Sequence, residues 1–174
     1  MKQIIKTVIS AGAGITFAIG VLALAAPHAF AHSDKAHTKT NQPISTDLHP
    51  WGRQGDPKKI TRTINISMAD NMRFTPDAIN VKQGETIRFV VKNSGKLMHE
   101  MVIGTKEELA KHAEQMKKHP NMEHDEPYMA HVATGKKVDL VWHFSNAGAF
   151  EFACLIAGHF EAGMKGKIVV AAKQ

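Results

Sequence analysis

The sequence predicts an all-β protein, a Greek-key β-sandwich with one inserted helix and a flexible N-terminal arm. Three observations carry that expectation. From Ile60 onward, short runs alternate apolar and polar residues with the period of half-buried strands. Turn signals such as Gln83-Gly84, Asn93-Ser94-Gly95 and Asn146-Ala147-Gly148 separate these runs. About seven short strands joined in this way are the pattern of a sandwich, and only the segment from about 105 to 130 departs from it.

Taken in order, the chain begins with a targeting segment. Lys2 and Lys6 form a positive start, Thr7 to Ala26 is uncharged and largely apolar, and Ala29-Phe30-Ala31 is a small-residue cleavage site. Residues 1–31 therefore read as a signal peptide cleaved after Ala31, with no membrane insertion afterwards. An uncleaved anchor is the alternative, since about twenty uncharged residues span a bilayer; Pro27 and the cleavage site favour removal. Residues 32–59 are polar and rich in Pro, Gly, Ser and Thr, a composition that buries no core and reads as an arm. Trp51 is the one residue placed to pin its end to the domain. Cleavage would expose His32, whose amine and imidazole suit Cu(II) with His37 or His49 assisting; the other reading is a disordered tail with scattered histidines.

The domain spans 60–174. Ile60, Ile64, Ile66 and Met68 line one face of a first strand, and Met72 to Asp77 reads as a bend because Pro76 has no N–H for a ladder. Ala78 to Lys82 and Glu85 to Lys92 follow as strands, the second with Ile87, Phe89 and Val91 on one parity. After a loop at 93–96, His99 opens a strand in which Met101 and Ile103 share its side. Thr105-Lys106-Glu107-Glu108 has capping-box spacing, and good helix formers run to about Lys118. Later, Val138, Leu140, Trp142 and Phe144 point inward from one strand, and Phe150, Phe152 and Cys154 from the next. Met164, Gly166, Ile168 and Val170 do so from the last.

The chemistry concentrates in FEFACLIAGHFEAGM, residues 150–164, which holds the only cysteine. Cys154, His159 and Met164 stand at C-x4-H-x4-M spacing, a soft thiolate–imidazole–thioether set suited to copper. A blue-copper centre needs a second histidine, and His99 is the upstream candidate on an inward position. The other reading, a buried structural cysteine beside incidental loop residues, leaves the shared spacing and parity unexplained. One cysteine forms no internal disulfide, and an unpaired exported thiol needs burial or a metal.

The F-x-F-x-C strand, the G-H-F-x-x-G-M loop and the upstream histidine resemble the cupredoxins, the type 1 copper proteins, over roughly Ile60 to Ala171. The resemblance implies that His99, Cys154, His159 and Met164 bind copper and cycle it between Cu(I) and Cu(II). The long C-x4-H loop is similar to the rusticyanin and auracyanin variants. The stretches HEMVIGTKEELAKHAEQMKKHPNMEHDEP and FACLIAGHFEAGM are similar to periplasmic copper-tolerance cupredoxins of the CopI type. Many electron carriers of the family have Asn directly after the first histidine; this chain has Glu100.

His112, Met116, His119, Met122 and His124 add soft donors in and after the helix, and read either as a second copper site or as packing with solvated histidines. The formal charge of +6 falls to +4 when Lys2 and Lys6 leave with the signal. No Lys/Arg stripe with aromatics and no nucleic-acid motif accompanies it, which excludes a nucleic-acid partner. A multicopper enzyme would need more ligands around the cysteine, where Ala153 and Leu155 stand. The expected function is a non-enzymatic periplasmic copper-binding protein of copper tolerance, passing copper or electrons to a periplasmic partner. The alternative is a soluble one-electron carrier, docking through an apolar mouth of Leu155, Ile156, Ala157, Gly158 and Phe160 around His159.

Overall fold

The computed structural model describes residues 43–120, 122 and 124–174. The targeting segment, His32 and His37 lie outside the described residues. Ten strands are present among them: β1 (Arg53–Gln54), β2 (Arg62–Ala69), β3 (Arg73–Thr75), β4 (Ala78–Lys82), β5 (Thr86–Asn93), β6 (His99–Gly104), β7 (Met129–Val132), β8 (Lys137–His143), β9 (Gly148–Ala153) and β10 (Lys165–Ala171). A single helix, α1 (Lys106–Lys118), separates β6 from β7.

The strands form two five-stranded sheets, ordered β1-β8-β5-β2-β3 and β4-β10-β9-β6-β7. β2 pairs parallel with β5, and β4 pairs parallel with β10, while the other pairs are antiparallel. Parallel neighbours need a crossover, and β2 reaches β5 through β4, which belongs to the opposite sheet. Such exchange of strands between layers is how a Greek-key sandwich closes.

The expected inward residues fill the space between the sheets. Ile66, Met68, Ile87, Phe89, Val91, Leu140, Trp142 and Phe144 face Ile79, Val81, Met101, Ile103, Phe150, Phe152, Ile168 and Val170, all buried. β10 alternates without exception, with Gly166, Ile168 and Val170 buried between exposed neighbours. β6 instead is buried at all six positions. Its outer face is covered by α1, where Leu109, Ala113 and Met116 pack on Val102, Met129, Ala153 and Leu155. The Thr105 capping box forms as expected: Thr105 Oγ1 accepts from Glu108 N at 3.2 Å, and Glu108 Oε2 accepts from Thr105 N at 3.4 Å.

Three strands differ from the sequence expectation. β3 lies within the expected bend, β7 follows the helix, and β1 lies within residues 32–59. Around β1 the chain is docked on the sandwich. Trp51 is buried, its carbonyl accepts from Trp142 Nε1 at 3.0 Å, and the His49 ring stacks on it at 4.7 Å. The expectation that Trp51 pins the end of the arm is met, although the average composition of the window, which one tryptophan does not move, gives no sign of a strand there.

Candidate metal centre

β6 and β9 run antiparallel, as do β9 and β10. The start of β6, the end of β9 and the start of β10 therefore share one end of the sandwich. His99 opens β6, Cys154 follows β9 and Met164 precedes β10. His99, Cys154 and Met164 are fully buried, and His159 is half-buried on the loop between the last two. One donor atom from each of His99, Cys154 and His159 lies within 4.8 Å of the others. Cys154 Sγ is 3.3 Å from His159 Nδ1, and the two imidazole centroids are 5.0 Å apart.

The loop that carries His159 is closed by its own backbone. Cys154 N donates to Met164 O at 3.1 Å, Met164 N to His159 O at 3.1 Å, and His159 N to Ile156 O at 2.9 Å. From outside, Arg73 Nη1 donates to Ala162 O at 2.8 Å, and Lys117 of α1 pairs with Glu161 at 2.9 Å. These bonds hold Met164 beside Cys154 through the main chain.

His99 is oriented by Asp70, whose Oδ1 accepts from His99 Nε2 at 3.1 Å. The carboxylate is itself held by the Lys96 and Leu97 N–H groups, which lower its pKa. With Nε2 carrying the proton, Nδ1 keeps its lone pair, and that nitrogen is buried with no hydrogen-bond partner. A buried acceptor without a donor is costly, and a metal ion satisfies it. The donor set fits copper on this ground as well as on its softness. Burial pushes the Cys154 thiol up to about 12, against a smaller lowering by the Glu100 N–H. Burial, then the neighbouring His99, lowers the His159 pKa and keeps that ring neutral.

Glu100 ties the loops together. Its N–H donates to Cys154 Sγ at 3.4 Å, and its Oε1 accepts from Leu155 N at 2.8 Å. Its Oε2 accepts from His131 Nε2 at 2.9 Å. Sequence reasoning missed Asp70 and His131. Asp70 carries no local signal, whereas Glu100 and His131 are directly paired across β6 and β7. Of the expected mouth, Leu155 is buried under α1, and Ile156 and Phe160 are partly covered. Leu97 and Met98, not singled out beforehand, are about half exposed beside His99.

Of the second group of expected donors, the structure brings His112 and His124 together, with ring centroids 4.5 Å apart. Met116 is instead buried in the packing of α1, His119 is exposed at the helix C-cap, and Met122 is 41 % exposed.

A Greek-key sandwich with a buried thiol, two converging imidazoles and an adjacent methionine is the architecture of a single-domain copper protein. Residues 61–171 match the family described as copper binding proteins, plastocyanin/azurin family, and the chain belongs to that family, the cupredoxins. It is 48 % identical to the copper-resistant cuproprotein CopI of Rubrivivax gelatinosus, over 82 % of this chain and 80 % of that protein. To the protein of the same name in Pseudomonas aeruginosa it is 35 % identical, over 69 % of this chain and 82 % of the relative. Its fold is similar to auracyanin from Roseiflexus castenholzii, with a TM-score of 0.56 and 22 % identity over 64 % of this chain and 98 % of that one. Copper is accordingly the cofactor of this protein.

Proposed function

We propose that this is an exported, periplasmic copper-binding protein of copper tolerance, and that His99, Cys154, His159 and Met164 hold its copper in a type 1 arrangement. The observation that carries the reading is the convergence of one thiol and two imidazoles within 4.8 Å on a cupredoxin fold. The tolerance role is supported by the two relatives named copper-resistant cuproproteins, which align over most of this chain. Export is supported by the sequence of residues 1–31. No helix among the described residues is long and apolar enough to cross a membrane.

Copper, when bound, supplies one-electron exchange between Cu(I) and Cu(II). The residues of this chain supply the rest. Cys154 presents sulfur from a dry pocket, His99 presents Nδ1 because Asp70 accepts a hydrogen bond from its Nε2–H, and Met164 adds a weak thioether. Leu97 and Met98 give a redox or copper-transfer partner an apolar approach to His99, which keeps the electron-carrier reading as the alternative.

Cu(II)-loaded protein should show intense visible absorption from thiolate-to-copper charge transfer, and Cys154→Ser should abolish it. In a strain lacking the gene, a wild-type copy should restore growth on a copper gradient and a Cys154→Ser copy should not. Equal rescue by both copies would remove the tolerance role from this site.

A further inference from the structure

We infer that Asp70 acts through His99 to make the copper site prefer Cu(II) to Cu(I). The inference rests on the reading of His99 as a copper ligand and adds to it the oxidation state which that ligand favours. Asp70 lies in the turn between β2 and β3, and its charge reaches the site through one imidazole, Oδ1 standing 3.1 Å from His99 Nε2. It is thus a positioning residue rather than a ligand.

The surroundings of Asp70 are built to hold an anion. Lys96 N donates to Oδ2 at 2.8 Å, and Leu97 N donates to Oδ1 at 3.2 Å. Two successive backbone N–H groups form a concavity suited to negative charge. With the His99 N–H, three donors converge on a carboxyl group that only accepts, the pattern of an ionised carboxylate. Gly95 leaves the room for it, since a Cβ there would come within 2.0 Å of Oδ1. The path of the loop is fixed by Asn93, which is fully buried. Asn93 Oδ1 accepts from Gly95 N at 2.8 Å, and its Nδ2 donates to Leu97 O at 2.7 Å and to Val132 O at 2.9 Å.

Among the described residues His99 is the one ion-pair partner of Asp70, so no lysine or arginine pairs with the charge before it meets the ring. A carboxylate on the N–H of a ligating imidazole raises the basicity of the other ring nitrogen. Negative charge behind that nitrogen stabilises a doubly charged ion more than a singly charged one. Cu(II) therefore gains more than Cu(I), and the reduction potential falls. Loss of such a supporting group costs about 10–100-fold in metal affinity. The Asp70 side chain is 37 % exposed, so water screens part of its charge and the lower end of that range applies. An Asp70 that merely closed the 93–97 loop would act differently: its loss would weaken both oxidation states alike and leave the potential unmoved.

The test is redox titration of the copper-loaded full chain, followed by bleaching of the thiolate band, to which copper bound elsewhere does not contribute. Asp70→Asn should raise the midpoint potential by about 59 mV, the one-electron equivalent of a tenfold loss of preference for Cu(II). Gly95→Ala keeps every charge but displaces the carboxylate, so it should move the potential in the same direction by less. That variant decides the matter if Asp70→Asn fails to fold. Asp139→Asn removes an exposed carboxylate paired with Arg88 and should leave the potential where it is. An intact band with an unmoved or lowered potential in Asp70→Asn or Gly95→Ala, or an equal rise in Asp139→Asn, would overturn the inference and leave the reading of the centre standing. Absence of the band from the wild type would remove that reading and this inference with it.

Discussion

Cys154 sits between two demands, burial that protects a thiol and ionisation that a metal ligand requires. Burial pushes its pKa to about 12, so without metal the sulfur is protonated throughout the neutral range. Metal binding must therefore expel that proton. At pH 8, above the ordinary imidazole range, Cu(II) binding should release about one proton, and affinity should rise about tenfold per pH unit until the thiol itself titrates. Calorimetry in buffers of different ionisation enthalpy reads the proton count, and Cys154→Ser should bring it near zero. The sign follows from the direction of the shift: a raised pKa keeps the acid form in the free protein, so higher pH favours the bound one. The spacing of Cys154, His159 and Met164 was legible because all three lie on one short stretch. His99 was legible through strand parity. Asp70 was not, since it meets His99 from 29 residues upstream through a loop whose path no local pattern dictates. Glu100 was read as a departure from the family, and only the folded chain reveals that its carboxylate reaches Leu155 N and His131 at once.

Among the elements, those with a long period were legible and those without one were not. Seven strands and the capped helix follow from alternation and from Thr105-x-x-Glu108. β1 and β3, of two and three residues, are too short to show a period. β7 reads Met-Ala-His-Val, in which only His131 is not buried. β10 shows how tightly a ligand-bearing element is packed. Gly166 lies directly opposite Phe152, and a Cβ there would come within 2.1 Å of the Phe152 ring. That ring has no room to yield, being fully buried and edge-on to Phe74 at 4.9 Å. Gly166→Ala should therefore cost about 1–3 kcal/mol, the usual range for overpacking, seen as an earlier midpoint in urea unfolding. An unchanged midpoint would mean that β9 and β10 separate more easily than their pairing implies. Because Phe152 is two residues from Cys154, the same variant should also alter the thiolate band.

For the whole molecule, the sandwich matters as a frame that assembles the site before copper arrives. Its donors come from β6, the end of β9, the following loop and the start of β10, strands whose order in the sheet no local pattern in the sequence discloses. The parallel pairs β2–β5 and β4–β10 were likewise invisible to a reading of strands one at a time. What was legible at this scale was the class: inward parity on every long strand demands two facing sheets, and a soft donor set at their edge demands copper. A site assembled by the fold has no counterpart in the unfolded chain, where the donors are 55 residues or more apart between His99 and the Cys154 loop. Copper should therefore stabilise the native state by mass action, by about 2.7 kcal/mol at a hundredfold excess of free metal over Kd. Scanning calorimetry of the protein with and without copper reads that gain as a rise in Tm. His99→Ala removes the one proposed ligand on β6, so it should abolish most of the rise, whereas His119→Gln, at the exposed end of α1, should leave it intact. Metal bound only through the arm would raise Tm equally in wild type and His99→Ala, and that result would place the stabilising ion outside the sandwich.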